Sequence, residues 1–190
     1  MGAQKLLLPF AETTLLGRAL EAAAEFRTVV VATTAVAAHV PPRPGLRIVV
    51  NDETERGMSR SLALASAALG DPGAPLVVLL ADTPLVDATL VRRVLDERGD
   101  ADVAYPFRDG VGGHPVVFGP GPRAALEKLA GGDTLRTLRD DPRWNRVEIA
   151  IGGEAPYADV DTPTDLERAR RLFDVALEPA EVSRSHGPGE

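Results

Sequence analysis

The sequence predicts a three-layer α/β fold with a mainly parallel sheet, and two observations support this prediction. Segments rich in Val, Leu and Ile alternate along the chain with segments whose apolar residues recur at helical spacing. Residues 76–80 are five consecutive apolar residues, which is typical of a strand that helices cover on both faces. The 190 residues contain no internal repeat and no linker, so we expect one domain over residues 1–177.

The strands are predicted from short runs rich in β-branched and other apolar residues. Pro84 ends the central run, because proline cannot donate a hydrogen bond to a neighbouring strand. The last run alternates apolar with polar residues, as a half-exposed strand does. The predicted strands are 28–33, 46–50, 76–80, 102–105, 116–118 and 147–151.

The helices are predicted from apolar stripes that follow a capping residue or precede a glycine. The expected caps are Thr13 or Thr14, Asp87, Asp133 and Thr162, the last in a capping box with Asp165. Met58 is expected in the core. The predicted helical segments are 15–23, 58–69, 88–98, 124–129, 135–138 and 163–176. Residues 178–190 are rich in Pro, Gly, Ser and charge, which predicts a disordered tail.

Composition narrows the classes of function. A net charge of -7 argues against binding to nucleic acid or to an anionic membrane surface. The chain has no cysteine, so a metal site would need oxygen or histidine ligands. No apolar run approaches the roughly 20 residues that span a bilayer, and no signal peptide is recognisable. The sequence predicts a soluble, cytoplasmic protein.

Two aspartates are the main candidates for chemistry. Asp82 and Asp161 each follow a predicted strand, and in open α/β sheets ligands bind beyond the carboxyl ends of the strands. One or two carboxylates together with substrate phosphates are sufficient to hold Mg²⁺. The alternative is that both residues only cap turns or helices. Asp159 could serve in place of Asp161.

Three further positions could contact a phosphorylated ligand. Lys5 follows a glycine in a chain with only one other lysine, and lysine beside a glycine-bearing turn often contacts phosphates. Gly57 and Ser61 lie where a helix exposes its first amide groups. His114 lies between glycine and proline, outside any predicted core face. Each also has a simpler explanation, as a surface lysine, a helix start or an ordinary loop histidine.

In this order along the chain, these segments resemble the molybdenum-cofactor cytidylyltransferases of the MobA-like nucleotidyltransferase superfamily. Residues 1–5 (MGAQK) with Leu8-Pro9 match the second half of that family's first motif, and 81–84 (ADTP) resembles its Gly-Asp-Met-Pro. The resemblance extends over residues 1–173 and also includes Asn51, the 57–61 segment, Gly113-His114-Pro115, and 159–165 (DVDTPTD).

The resemblance implies a Rossmann-like nucleotidyltransferase fold and Mg²⁺-dependent transfer of CMP from CTP to a molybdopterin-type cofactor, with release of pyrophosphate. It implies that Lys5, Asp82 and Asp161 are catalytic and that both aspartates hold Mg²⁺. A molybdoenzyme or its maturation chaperone is a further partner that it implies. The substrate-binding residues that it implies are Gly2, Leu8, Pro9, Asn51, Gly57, Met58, Ser61, Gly113, His114 and Pro115.

Differences from the family pattern leave two alternatives open. Ala81 replaces a glycine, and no glycine follows Leu8-Pro9 in 10–14. The resemblance places one further strand between 28–33 and 76–80, followed by a Gly-rich phosphate loop, and neither is in the sequence. We therefore expect a form extended at the N-terminus to be more stable and more active. The alternatives are a guanylyltransferase, with GTP as its substrate, and a nucleotide-binding relative without turnover.

Overall fold

The computed structural model describes residues 3–126, 128 and 134–177, and the statements below refer to these residues. The strands are β1 (Pro9–Phe10), β2 (Thr13–Thr14), β3 (Thr28–Ala32), β4 (Leu46–Val50), β5 (Leu76–Val78), β6 (Val103–Arg108), β7 (Val111–Gly112), β8 (Val116–Phe118) and β9 (Arg146–Ala150). The helices are α1 (Leu15–Ala22), α2 (Thr34–Ala37), α3 (Gly57–Leu69), α4 (Ala88–Glu97), α5 (Pro120–Leu126), α6 (Leu135–Arg139) and α7 (Pro163–Leu177). Short 3₁₀ turns occupy Ala3–Leu7, Thr54–Arg56 and Ala155–Tyr157.

The strands form two separate groups in the middle layer. β3 pairs with β4 in parallel over five residues. In the second group the order is β5-β8-β6, with β7 and β9 both paired to β6. Because β5 and β6 are each antiparallel to β8, they are parallel to one another, and β9 is parallel to β6. The predicted α/β fold with a mainly parallel sheet is confirmed, with β8 as the reversed strand.

The two faces of β5 pack against different helices. Leu76 and Val78 lie in one cluster with Leu62 of α3. Val77 contacts a second cluster, which includes Val91 of α4. Successive side chains of a strand point to opposite faces, so α3 and α4 cover opposite sides of the sheet. This gives the three layers that the sequence predicts.

Three predicted helix starts are confirmed by capping hydrogen bonds. Thr14, rather than Thr13, accepts a hydrogen bond from the Gly17 amide at the start of α1. Asp87 accepts one from Leu90 at the start of α4. At α7, the Thr162 and Asp165 side chains each accept from the other residue's amide, which is the predicted capping box.

Several boundaries differ from the predictions. Residues 79–80 are not part of β5, because β8 offers only three residues for pairing. Thr134 caps α6 in a capping box with Thr137, whereas Asp133, the predicted cap, lies outside the described residues together with 178–190. The β1–β2 hairpin and α2 are too short for the periodicity of the sequence to indicate them.

A cleft of about 680 Å³ separates the two groups of strands. It lies between β3 and β5, where a further strand is expected from the sequence. Met58, predicted in the core, is 44% exposed and lines this cleft, because the described residues place nothing opposite it.

At the end of the cleft away from Lys5 lies the buried guanidinium of Arg123. It donates hydrogen bonds to the carbonyls of Gly70, Asp71 and Ala74, and so holds the connection between α3 and β5. Among the helices of the described residues, none combines the length and the apolar character needed to cross a membrane.

Candidate active site

The Lys5 ammonium lies between two carboxylates at the carboxyl end of β5. Its Nζ atom is 3.0 Å from Asp82 Oδ2 and 2.7 Å from Asp161 Oδ1. The three residues come from the first turn of the chain, the segment after β5 and the segment before α7. The structure therefore brings together the three residues for which the resemblance implies a catalytic role.

A backbone hydrogen bond positions the two aspartates. The Val160 amide donates to the Asp82 carbonyl at 2.9 Å, and the Val160 side chain is fully buried. Side chains alternate in an extended segment, so the neighbours of a buried residue point the opposite way. The Asp-Val-Asp spacing thus directs both Asp159 and Asp161 outward from the apolar cluster that holds Val160.

The charge of Lys5 is stabilised by its surroundings. Burial lowers the pKa of Lys5, but hydrogen bonds and charge interactions with Asp161 and Asp82 outweigh burial and raise this pKa above its ordinary value. Lys5 is therefore an ammonium at any physiological pH. Its side chain is 17% exposed and that of Asp161 is 66% exposed, so the cluster is open to solvent on the Asp161 side.

Asp161 and Asp159 differ in their surroundings. Asp161 is the one in contact with Lys5, whereas the charge of Asp159 acts on His114. Among the described residues, no group of three or more His, Asp or Glu side chains is arranged to hold a metal ion. A metal at Asp82 and Asp161 would therefore need further oxygen ligands from a substrate.

The Gly113-His114-Pro115 segment packs more tightly than a surface loop. The His114 amide donates to the Pro156 carbonyl at 2.8 Å, and Gly113 is buried against the same residue. His114 is partly buried, contrary to the prediction of an ordinary loop position, and its Nδ1 atom is shielded from solvent without a hydrogen-bond partner in the described residues. Burial lowers the pKa of His114, while a hydrogen bond to the Val78 backbone and the charge of Asp82 partly oppose this effect.

Asn51 and Ser61 are paired with each other. Asn51 is 8% exposed, and its side-chain amide donates to Ser61 Oγ at 3.0 Å while its Oδ1 accepts from the Glu53 amide. Asn51 therefore links the end of β4 to α3. Gly57, which opens α3, has a φ of +72°, a conformation that favours glycine. Ser61 lines the same cleft as Lys5 and Asp82.

Leu8 and Pro9 lie on the other side of Lys5 from this cleft. Leu8 packs against the apolar cluster that contains Val160 and Leu166. The Pro9 carbonyl accepts a hydrogen bond from Arg170 at 2.6 Å. Gly2, the remaining implied binding residue, lies outside the described residues.

Arg139 is a cation near the Gly113-His114 segment that the sequence analysis did not identify. Its guanidinium carbon is 4.6 Å from the centroid of the Tyr105 ring, and the side chain forms a bidentate ion pair with Asp140. A methyl group on Gly112 would lie 2.2 Å from Arg139 Nη1. Tyr105 and Arg139 are 34 positions apart in sequence, so no local pattern could have indicated this contact.

We predict that Gly113→Ala destabilises the protein. The new Cβ would lie 2.4 Å from the Pro156 carbonyl oxygen and 2.8 Å from the Tyr157 ring, so the backbone must shift, at a cost of about 1–3 kcal/mol. Urea unfolding measures the loss. The matched control is Gly152→Ala, where no atom lies within 4 Å of the new methyl group. Equal stabilities of the two variants would contradict the close approach of Pro156.

A second prediction concerns the pH dependence of stability. Since burial holds the pKa of His114 below 6.5, the unfolded chain binds more protons than the folded one between these two pKa values. The free energy of unfolding should therefore decrease as the pH falls below about 6.5, and His114→Gln should remove this part of the decrease. The measurement is urea unfolding at pH 7.5 and 5.5, with His39→Gln as the control. Parallel pH dependences for wild type and His114→Gln would contradict the prediction.

Comparisons with known proteins agree with this arrangement. The model of the MobA-like NTP transferase domain matches residues 1–147. A 71-residue segment is 42% identical to 3-deoxy-manno-octulosonate cytidylyltransferase of Pseudomonas fluorescens (strain SBW25), and it covers 36% of this chain and 25% of that enzyme. The match thus spans about a quarter of that relative's length.

Solved structures show the same fold. Rv0371c from Mycobacterium tuberculosis H37Rv has TM-scores of 0.78 and, in its complex with manganese, 0.76, at 28% and 29% identity over 90% of this chain and 90% and 93% of those chains. Molybdopterin-guanine dinucleotide biosynthesis protein A from Archaeoglobus fulgidus has a TM-score of 0.66 at 19% identity over 90% of this chain and 91% of that chain. Since the family model matches most of the sequence, the chain belongs to the MobA-like NTP transferase family and is a nucleotidyltransferase.

Proposed function

We propose that this protein transfers CMP from CTP to the phosphate of a molybdopterin-type cofactor, in a reaction that depends on a divalent metal ion. The observation that carries the proposal is the Lys5–Asp82–Asp161 cluster at the carboxyl end of β5. Nucleotidyl transfer needs little beyond positioning and neutralisation of phosphate charge, and the cluster offers both.

The aspartates fit a divalent metal by the chemistry of their oxygens. Two carboxylates already converge on one cationic atom, the Lys5 ammonium, at 3.0 and 2.7 Å. Hard oxygen ligands suit Mg²⁺ and Mn²⁺, and Mg²⁺ typically takes one or two carboxylates and completes its shell with phosphates and water. Rv0371c was solved in complex with manganese, which supports a divalent metal here. Asp82 and Asp161 would hold the ion, and the bound metal would neutralise phosphate charge.

The reaction forms one phosphorus–oxygen bond and breaks another. An oxygen of the acceptor phosphate attacks the α-phosphorus of CTP, and the bond from that phosphorus to the bridging oxygen breaks, so that pyrophosphate leaves with the electron pair. Lys5 would stabilise the negative charge that develops on the α-phosphate and on the leaving group. No protein nucleophile is required, because the attacking oxygen belongs to the acceptor.

The remaining implied residues surround this cluster. Ser61 lines the same cleft as Lys5, and it would contact the nucleotide. His114 lies within electrostatic reach of Asp82 and has an unpartnered, shielded Nδ1 atom, so we assign it to the acceptor side. Its lowered pKa keeps the imidazole neutral at pH 7, which makes it a hydrogen-bond partner and not a fixed cation.

Preference for CTP is supported by two observations. The Leu8-Pro9 pair resembles the cytidylyl branch of the family, and the segment that is 42% identical belongs to a cytidylyltransferase. Discrimination between bases depends on a few hydrogen bonds, which a direct comparison can test.

The assay is a single-turnover reaction with enzyme in excess, because slow turnover is expected. CTP or GTP labelled at the α-phosphate is incubated with Mg²⁺, with or without molybdopterin. We expect label to appear in the pterin product only with CTP and only when the acceptor is present. A clear preference for GTP would establish the guanylyl alternative, and nucleotide binding without product would establish a non-catalytic relative.

Asparagine substitutions test the role of the acidic residues. Asp82→Asn and Asp161→Asn keep the size of the side chain but remove its charge, so we expect turnover to fall on the order of 100-fold or more in each. Asp96→Asn, at an exposed position of α4, is the control and should keep its activity. Rates are compared at equal folded fraction, judged by circular dichroism. Loss at Asp159→Asn with retention at Asp161→Asn would show that Asp159 is the functional acid.

A further inference from the structure

The cleft between β3 and β5 lies within the sheet layer. All five residues of β3 and residues 75–82 line it, whereas no residue of β4 or β8 does. Since β4 and β8 are the hydrogen-bonded neighbours of β3 and β5, the cleft faces the other edge of each strand. Neither of these two edges is paired with a strand of the described residues.

The direction of the two strands follows from the packing at their ends. Ala32, the last residue of β3, packs against the same cluster as Ala81, which follows β5. Phe26, just before β3, contacts a different cluster, which Val77 also contacts. The two strands therefore run in the same direction, and a strand between them could pair in parallel with both.

The walls of the cleft are apolar on both faces of the sheet. Leu16 and Leu20 of α1 line one side, and Leu62 and Ala65 of α3 line the other. A segment in this position would be covered by helices on both faces, and such strands are continuous apolar runs. Five ladder positions of β3 correspond to a length of about 16 Å at 3.3 Å per residue.

We propose that this cleft binds one extended apolar segment of about five residues, parallel to β3 and β5 and joined to the chain ahead of residue 1. Unpaired backbone donors and acceptors inside a fold need hydrogen-bond partners, and only a peptide backbone satisfies both edges at once. A hydrocarbon ligand would fill the space without pairing either edge. The proposal does not depend on the proposed function.

The connection follows from the position of Lys5. This residue belongs to the first described turn and contacts Asp82, so the described chain begins at the carboxyl end of β5. A strand parallel to β5 ends at that same edge. A short linker can therefore join its last residue to residue 1, and this argues for a segment of the same polypeptide over one from a separate chain.

The test extends the 190-residue chain with five β-branched residues and a flexible Gly/Ser linker of about ten residues. The matched control carries the same extension with prolines at two of the five positions, which removes backbone donors. We expect the apolar extension to raise Tm by about 5 °C or more, and the proline form to leave Tm unchanged. Amide hydrogen exchange of 28–32 and 76–80 should slow by at least about 10-fold in the apolar form alone.

A variant inside the cleft separates insertion from general stabilisation. Ala65→Lys places a long side chain in the cleft from α3, and it should abolish the effect of the apolar extension. Ala67→Lys, at an exposed position of the same helix, should leave the effect intact. If exchange in both strands is unchanged by the extension, or if Ala65→Lys has no influence, the proposal is wrong.

Two other occupants are outcomes of the same experiment. If the blocked five-residue peptide protects both strands equally well when added in trans at micromolar concentration, the segment need not belong to this chain, and the proposed connection is overturned. If the unextended chain is a dimer whose 28–32 and 76–80 amides are already protected, a second copy fills the cleft, and the proposal fails. A monomer without protection in trans supports it.

Discussion

The Lys5 ammonium and the two carboxylates that it contacts form the electrostatic centre on which the proposed chemistry depends. Asp82 and Asp161 lie in segments that the Val160–Asp82 backbone hydrogen bond holds side by side. Two carboxylates held together in this way repel one another unless a cation lies between them. In the structure that cation is Lys5, at 3.0 and 2.7 Å from their oxygens. The fold thus creates a demand for positive charge at the edge of the sheet where nucleotides bind in such folds.

The same edge connects the active site with the cleft. Lys5 and Asp82 line the cleft at the carboxyl end of β5, and β3 and β5 form its two sides. Occupation of the cleft by a strand would order the strands whose ends carry these residues. Stability and catalysis would then share one structural cause, although each can be measured without the other.

Much of the fold could be predicted from the sequence because its signals are local. The apolar run around Val77 and the capping residues Asp87 and Thr162 each depend on a few neighbouring residues. The position of the Asp82–Asp161 pair could also be predicted, since both acids follow strands whose carboxyl ends meet at one edge. The choice of Asp161 over Asp159 required the structure, because both neighbours of the buried Val160 point the same way.

The predictions that differed from the structure depend on contacts between distant parts of the chain. Met58 has the spacing of a core residue, but the cleft leaves it exposed. His114 is flanked by small and rigid residues typical of loops, yet Pro156 and Val78 enclose it. The contact between Arg139 and Tyr105 likewise exists only in the folded chain.

The central claim is that Lys5 occupies the place of a divalent cation when no nucleotide is bound. Titration of Mn²⁺ followed by electron paramagnetic resonance tests it in wild type, Lys5→Met and Lys5→Met with Asp82→Asn. The account predicts that Lys5→Met binds Mn²⁺ more tightly than wild type, because the competing ammonium is gone, and that the added Asp82→Asn change removes this gain. Equal or weaker Mn²⁺ binding by a folded Lys5→Met variant would contradict the account.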